Sequence, residues 1–316
     1  MDRYEESTER KRLTGQMQPR GVQTGISTRG MALFGLPFFG VGVWAILAGT
    51  KLVPIDPSSL HAPHWMIAMV GVVFVFAGIM LWRMGWRQRE ASRRRALTLL
   101  DGGDPALADY PWNPRGFTPP RWSRVAKTIG AVVFLALFLS MFNWWAFLNR
   151  GPLMVKIIVV VFDLILVFVA GYAAMVIGRA FKFGATSVEY ARFPFRPGEP
   201  AVLRWLVPSG MSRVAKGSFI LRCIEEWYES TGSGKNSSRH LMQEQIWAGT
   251  WHLDQPQELQ PGETEKLDFD LPADAASTSL STGKTKTVFW ELAVDLDLAG
   301  LDFKEKYLVP VYRASN

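Results

Sequence analysis

Residues 157–177 read IIVVVFDLILVFVAGYAAMVI, twenty-one positions with one charged residue, Asp163. As a helix at ~1.5 Å per residue the run is ~32 Å long, which matches the ~30 Å hydrocarbon core of a bilayer. Three further stretches, 31–50, 65–82 and 129–148, contain no charged residue at all. Together the four predict an α-helical transmembrane bundle of four helices. Trp65, Trp82, Trp86, Trp144 and Trp145 stand near the ends of these runs, where interfacial aromatics gather. The first run does not read as a cleaved signal peptide, because its leader carries Asp2, Glu5, Glu6 and Glu9 and no small-residue cleavage site follows. That leader, residues 1–30, is rich in Arg, Glu, Thr and Gln and is expected to be a disordered tail.

Basic residues orient the bundle. The leader holds six Lys and Arg and the 83–127 loop ten, whereas the two connections on the other side hold only Lys51, and Arg150 with Lys156. The positive-inside rule therefore places both termini and the central loop in the cytoplasm. Residues 1–182 carry 21 Lys and Arg against 10 Asp and Glu, while residues 183–316 carry 14 against 18. The net +7 thus belongs to the helical half. There it suits anionic lipid headgroups, with Arg83, Arg87, Arg93, Arg94 and Arg95 as the contact candidates. The acidic remainder argues against nucleic acid. The single cysteine, Cys223, cannot form an internal disulfide, which fits a reducing compartment.

After Phe183-Gly184 the pattern changes from blocks to alternation. Val288, Trp290, Leu292, Val294 and Leu296 are apolar at every second position, with Glu291, Asp295 and Asp297 expected on a wet opposite face. Leu267, Phe269 and Leu271 repeat the pattern, as do Phe219, Leu221 and Cys223 with Arg222 and Glu226 opposite. Turns rich in Gly, Pro and Ser separate them: PGEP at 197–200, TGSGKNSS at 231–238 and QPGET at 260–264. About seven strands follow, which indicates an all-β soluble domain, an immunoglobulin-like antiparallel sandwich over residues 183–316. The helical domain then occupies residues 31–182.

Four stretches carry a resemblance: FGATSVEYARFPFRPGEPAVLRWLV at 183–207, LDFDLP at 267–272, WELAVDLDLAGLDFKEKYLVPVY at 290–312 and, before the third span, DYPWNPRGFTPPRW at 109–122. They resemble an uncharacterised group of bacterial membrane proteins in which helices precede a cytoplasmic arrestin-like or immunoglobulin-like domain. The resemblance covers roughly residues 30–316 and implies architecture and a bacterial inner-membrane location. It transfers no catalytic residue.

Asp163 lies six residues into the fourth run and Asn143 five before the end of the third, with eight residues between the runs. The two helices are therefore antiparallel neighbours and the side chains share a depth. A carboxylate in hydrocarbon is expensive, and the expected compensation is an interhelical hydrogen bond between Asp163 and Asn143 or Ser140, worth about 0.6–2 kcal/mol. Structural glue outweighs a cavity or partner groove, and both outweigh a proton path, since no second acid, base or histidine lies in any run. GSGK at 232–235 lacks the first glycine of a phosphate loop, Glu229 standing there, and reads as a hairpin. His61 and His64 are spaced for one helical face, but Pro54 and Pro63 disfavour a helix, so no metal site is expected. No GxSxG is present and Glu225-Glu226 reads as solvated surface.

The expectation is a membrane-anchored protein-interaction or assembly module without catalysis or cofactor. Its partners would be lipids and a protein, and a homo-oligomer is compatible. The loop bearing Gly232, Gly234, Lys235 and Arg239 is the candidate partner contact. A transporter or channel subunit using Asp163 is the alternative, and a membrane enzyme has no positive signal.

Overall fold

The computed structural model describes residues 3–14, 20, 28–54, 63–100, 105–149, 151–211, 213–232, 238–280 and 286–313. Its contacts cluster into two compact units: residues 25–92 with 122–178, and residues 1–24 with 93–121 and 179–316. The first is helical. It contains most of α1 (Thr28–Gly49), α2 (His64–Leu100), α4 (Arg121–Asn143), which continues as a π turn over Trp144–Leu148, and α5 (Leu153–Phe183). A five-residue helix, α3 (Pro105–Asp109), belongs to the other unit.

Three of these helices are long and apolar enough to cross a membrane among the described residues: His64–Arg83, Arg121–Leu148 and Leu153–Phe183. The expected count of four is corrected here. The apolar part of α1 runs only Leu33–Gly49, ~26 Å of helix, short of a full hydrocarbon core. It stops because Lys51 turns into the left-handed region at φ 64° and Thr50 bonds back to the Ile46 carbonyl at 2.8 Å. α1 lies against α2 along glycines spaced seven apart. A Cβ at Gly42 would stand 2.6 Å from the Val75 nitrogen and 2.7 Å from the Gly71 oxygen, and one at Gly49 2.4 Å from the Ala68 nitrogen. Only hydrogen at these positions lets the two backbones approach so closely.

The second unit is a sandwich of two antiparallel sheets. One has the order β1-β7-β6-β10-β11, with β2 on β7 and β8 on β6, and the other β3-β4-β5-β9. The strands are β1 (Arg3–Ser7), β2 (Lys11–Arg12), β3 (Gly116–Phe117), β4 (Val188–Tyr190), β5 (Pro200–Leu206), β6 (Arg213–Thr231), β7 (Ser238–Leu253), β8 (Gln257–Glu258), β9 (Thr264–Asp270), β10 (Lys286–Leu298) and β11 (Phe303–Val309). Alternate residues of both sheets meet in one core: Leu203 and Trp205 from β5, Leu267 and Phe269 from β9, Phe219 and Leu221 from β6, Trp290 and Leu292 from β10. Trp205 crosses to Phe219 at 5.2 Å between ring centres and donates its Nε1 hydrogen to Tyr307 Oη at 3.1 Å.

Two expectations change. Residues 3–12 of the leader, expected to be disordered, supply β1 and β2 on the β7 edge, with Tyr4 opposite Trp251 and Lys11 opposite Gln245. Tyr4 has room because residue 249 is glycine, where a Cβ would meet Tyr4 Oη at 2.6 Å. The expected domain limits, 1–30, 31–182 and 183–316, follow continuous sequence. Strand pairing instead brings β1, β2 and β3 into the sandwich from outside residues 183–316.

The outward face of the larger sheet is also covered. Ile224, Phe289 and Leu308 form a second cluster with Ala106, Trp112, Leu280 and Tyr312. Glu226 and Glu291, expected on a wet face, are 0% and 2% exposed. Partners make their burial tolerable. Arg222 donates to Glu291 Oε1 through Nε at 3.0 Å and Nη2 at 2.6 Å, and Glu226 accepts from Gln243 Nε2 at 2.7 Å and from the Arg20 backbone at 3.0 Å.

Candidate functional site

In the helical unit, Asn143 Nδ2 donates to Asp163 Oδ1 at 2.9 Å and also reaches the Leu139 carbonyl at 3.2 Å. Ser140, the other expected partner, donates instead to the Leu137 carbonyl one turn back, at 2.6 Å. Asn143 is the last residue before the π turn. The wider turn (Asn149 N–H to Trp144 oxygen, 3.1 Å) swings Trp144, Phe147 and Leu148 around a cleft of about 560 Å³. Its other lining residues are Trp65, Ala136, Leu139, Ser140, Asn143, Asp163 and Leu166. Trp65 meets Trp144 edge to face at 5.9 Å. A π turn beside a polar pair is a common mark of a functional position.

In the sandwich, β6 and β7 run on together past the first described residue of β10. β10 begins its pairing at Lys286 opposite Trp227, whereas β6 and β7 continue from Tyr228 opposite Leu241 to Thr231 opposite Ser238. Four pairs at ~3.3 Å per residue make a two-stranded ribbon ~13 Å long. Glu229, Gly232, Arg239 and His240 are all exposed on it. Gly232 has φ 93°, the left-handed region that glycine enters without strain. Gly234 and Lys235 lie outside the described residues.

The central connection has a place of its own. Asp109 Oδ2 accepts from the Leu280 N–H at 2.7 Å and from Tyr312 Oη at 2.8 Å, while Trp112 Nε1 donates to Tyr312 Oη at 3.0 Å. Sequence reasoning missed this cluster. Its signal was the apolar and aromatic density of ALADYPW (106–112) inside an otherwise polar loop. Arg83, Arg89 and Arg93 are exposed on α2, which carries the basic stretch as a continuous helix. Arg87, Arg94 and Arg95 fall on the same helix, with side chains outside the described set.

Titratable groups with displaced pKa values are structural. Burial pushes the Tyr190, Tyr307 and Cys223 protons up, with the Glu225 charge adding to the effect on Cys223. Cys223 is 1% exposed, which marks a packed thiol rather than a nucleophile. Among the described residues no group of three His, Cys, Asp or Glu side chains converges on a metal position. His64 opens α2, and His61 lies outside the described residues.

No family model matches the chain. No curated protein matches it either. Solved structures similar to part of it include the crystal structure of Spo0M, a sporulation control protein from Bacillus subtilis. The identity is 19%, with 41% of this chain and 49% of Spo0M covered and a TM-score of 0.28. The match thus spans about half the length of that protein.

Proposed function

We propose that this protein is a non-enzymatic module anchored in a bacterial inner membrane, whose arrestin-like or immunoglobulin-like cytoplasmic sandwich captures a protein partner through the β6–β7 ribbon. The ribbon is the observation that carries this reading. It extends past the first described residue of β10, its edges face no other described strand, and it mixes charges of both signs in Glu229 and Arg239. Open strand edges are costly to leave exposed and add readily to an extended partner segment.

The anchor is read from the helices. α5 leaves Val167 65% and Phe168 78% exposed, and apolar surface on that scale needs lipid around it. The sandwich, which holds the N-terminal strand β1 as well as the C-terminal strands, is read as cytoplasmic together with the basic continuation of α2. Of the ten residues lining the Asp163 cleft, nine are unable to ionise, so the cleft is read as a place that holds rather than conducts.

The test is co-purification from native membranes with the double charge reversal Glu229→Lys/Arg239→Glu beside the wild type. Loss of a stoichiometric partner in the variant, with the sandwich still folded, supports the reading. A partner retained equally by both proteins moves the contact elsewhere. Protease added to inverted membrane vesicles checks the topology: the sandwich is cut there and is protected in right-side-out vesicles.

A further inference from the structure

We propose that the cleft around Asp163 binds the ammonium headgroup of an aminophospholipid. This rests on reading α2, α4 and α5 as membrane spans and goes beyond partner capture by the sandwich. Asp163 stands six residues after Ile157, where the apolar run begins, ~9 Å along α5. It is half-buried, and its neighbours Phe162, Leu164 and Ile165 are exposed apolar side chains. A carboxylate at such a place is kept when something pairs with it.

The neighbours on the page leave that pairing incomplete. Asn143 reaches Oδ1 and the Leu139 carbonyl with the same amide nitrogen, so its two N–H groups are committed. The Ser140 hydroxyl is committed to the Leu137 carbonyl. Among the described residues Oδ2 receives no hydrogen bond, and no Lys, Arg or His lines the cleft. The missing complement is therefore a positively charged donor.

The walls fit an ammonium carried on a lipid. Trp65, Trp144 and Phe147 offer aromatic surface, which attracts ammonium groups by its negative ring faces. Leu139, Leu148 and Leu166 offer apolar wall to the two methylenes that separate the ammonium from the phosphate. The volume, about 560 Å³, lies in the range of small-molecule sites. The rim decides between a lipid and a soluble amine. Phe147 and Leu148 are 48% and 76% exposed, so the approach to the carboxylate is apolar. A lipid brings acyl chains to cover that rim, whereas a soluble cation would be stripped of water and leave it bare.

The experiment uses the full chain in nanodiscs of equal phosphatidylethanolamine and phosphatidylglycerol, released for native mass spectrometry. The wild type is expected to retain the amine lipid over the glycerol lipid by about fivefold, the ratio that ~1 kcal/mol of ammonium attraction gives. Asp163→Asn brings the ratio close to one. Trp65→Leu/Trp144→Leu, which leaves the Asp163–Asn143 bond in place, lowers it and serves where the first variant fails to fold. A wild-type ratio near one, or a ratio unchanged by Asp163→Asn, overturns the proposal. Displacement of the retained lipid by soluble phosphoethanolamine overturns the lipid as source. A polypeptide adduct lost with Asp163→Asn would give the cleft to a partner helix, which also overturns it. Flotation of the wild-type chain with vesicles is measured first: a chain that does not float fails the span reading itself, separately from the headgroup assignment.

Discussion

The two units treat the same side chains in opposite ways. Trp205, Trp290 and Tyr307 of the sandwich are fully buried, while Phe168, Val167 and Phe162 of α5 point outward. Both choices obey one rule, that apolar area leaves water. The sandwich satisfies it internally, by folding one sheet over another. On the proposed reading, the helices satisfy it by taking lipid rather than water as their surroundings. The contrast teaches that a buried aromatic here reports on tertiary packing, and an exposed one on the solvent.

The strongest way to break that contrast is to cut one aromatic from each unit. Trp205→Ala removes a fully buried ring from the shared core and is expected to cost about 3–5 kcal/mol. Phe168→Ala should stay within about 0.5 kcal/mol, as for other outward-facing positions. Denaturant unfolding of the sandwich, followed by tryptophan emission, compares the two. Equal effects would mean that α5 is covered by protein rather than lipid.

A smaller effect sharpens where the sandwich ends. Asp109→Ala leaves the Leu280 N–H and the Tyr312 hydroxyl without their shared acceptor, at about 1–3 kcal/mol. The cost should appear as faster proteolysis between residues 100 and 121, with the β5–β9 pairing retained. An unchanged cutting rate would remove the central connection from the folded unit.

The smallest expected effect is in pH. Tyr190, Tyr307 and Cys223 hold their protons more tightly when folded, because burial disfavours the charged forms. The unfolded chain releases those protons first, from the ordinary values of 9.0 for the thiol and 10.0 for the phenols. Between there and the folded values the native state binds more protons, so stability falls as pH rises. The contribution is complete below about pH 9 and declines above it. Unfolding midpoints from pH 7 to 11 should bend downward near 9–10, and Tyr307→Phe should soften the bend. A flat profile would place these groups in water.

Much of the candidate site was legible from spacing alone. Asp163 and Asn143 flank an eight-residue connection, and two helices joined that tightly bring equal depths together. The Asn143–Asp163 bond is the local consequence. Ser140 was a reasonable third partner by position, but its hydroxyl had a nearer acceptor one turn away. The π turn that opens the cleft was not legible, because WWAFL has the composition of an ordinary helix end. Glu226 and Glu291 were misplaced for a related reason. Alternation assigns a residue to a face of its strand, and nothing in the strand says whether a distant segment covers that face.

Taken by itself, the amino-acid order determined the local regularities. These are the apolar blocks, the connections in which basic residues accumulate, the alternation of β6, β9 and β10, and the spacing that sets Asp163 beside Asn143. Each follows from repeats of 3.6 or 2 residues and from chain length. Tertiary structure alone decided that Arg3–Ser7 and Gly116–Phe117 complete the two sheets and that Asp109 and Trp112 close on Tyr312. It alone decided too that Arg20 meets Glu226 across 206 positions. Those contacts join segments that are far apart in the chain, and no periodicity within any one of them encodes its partner.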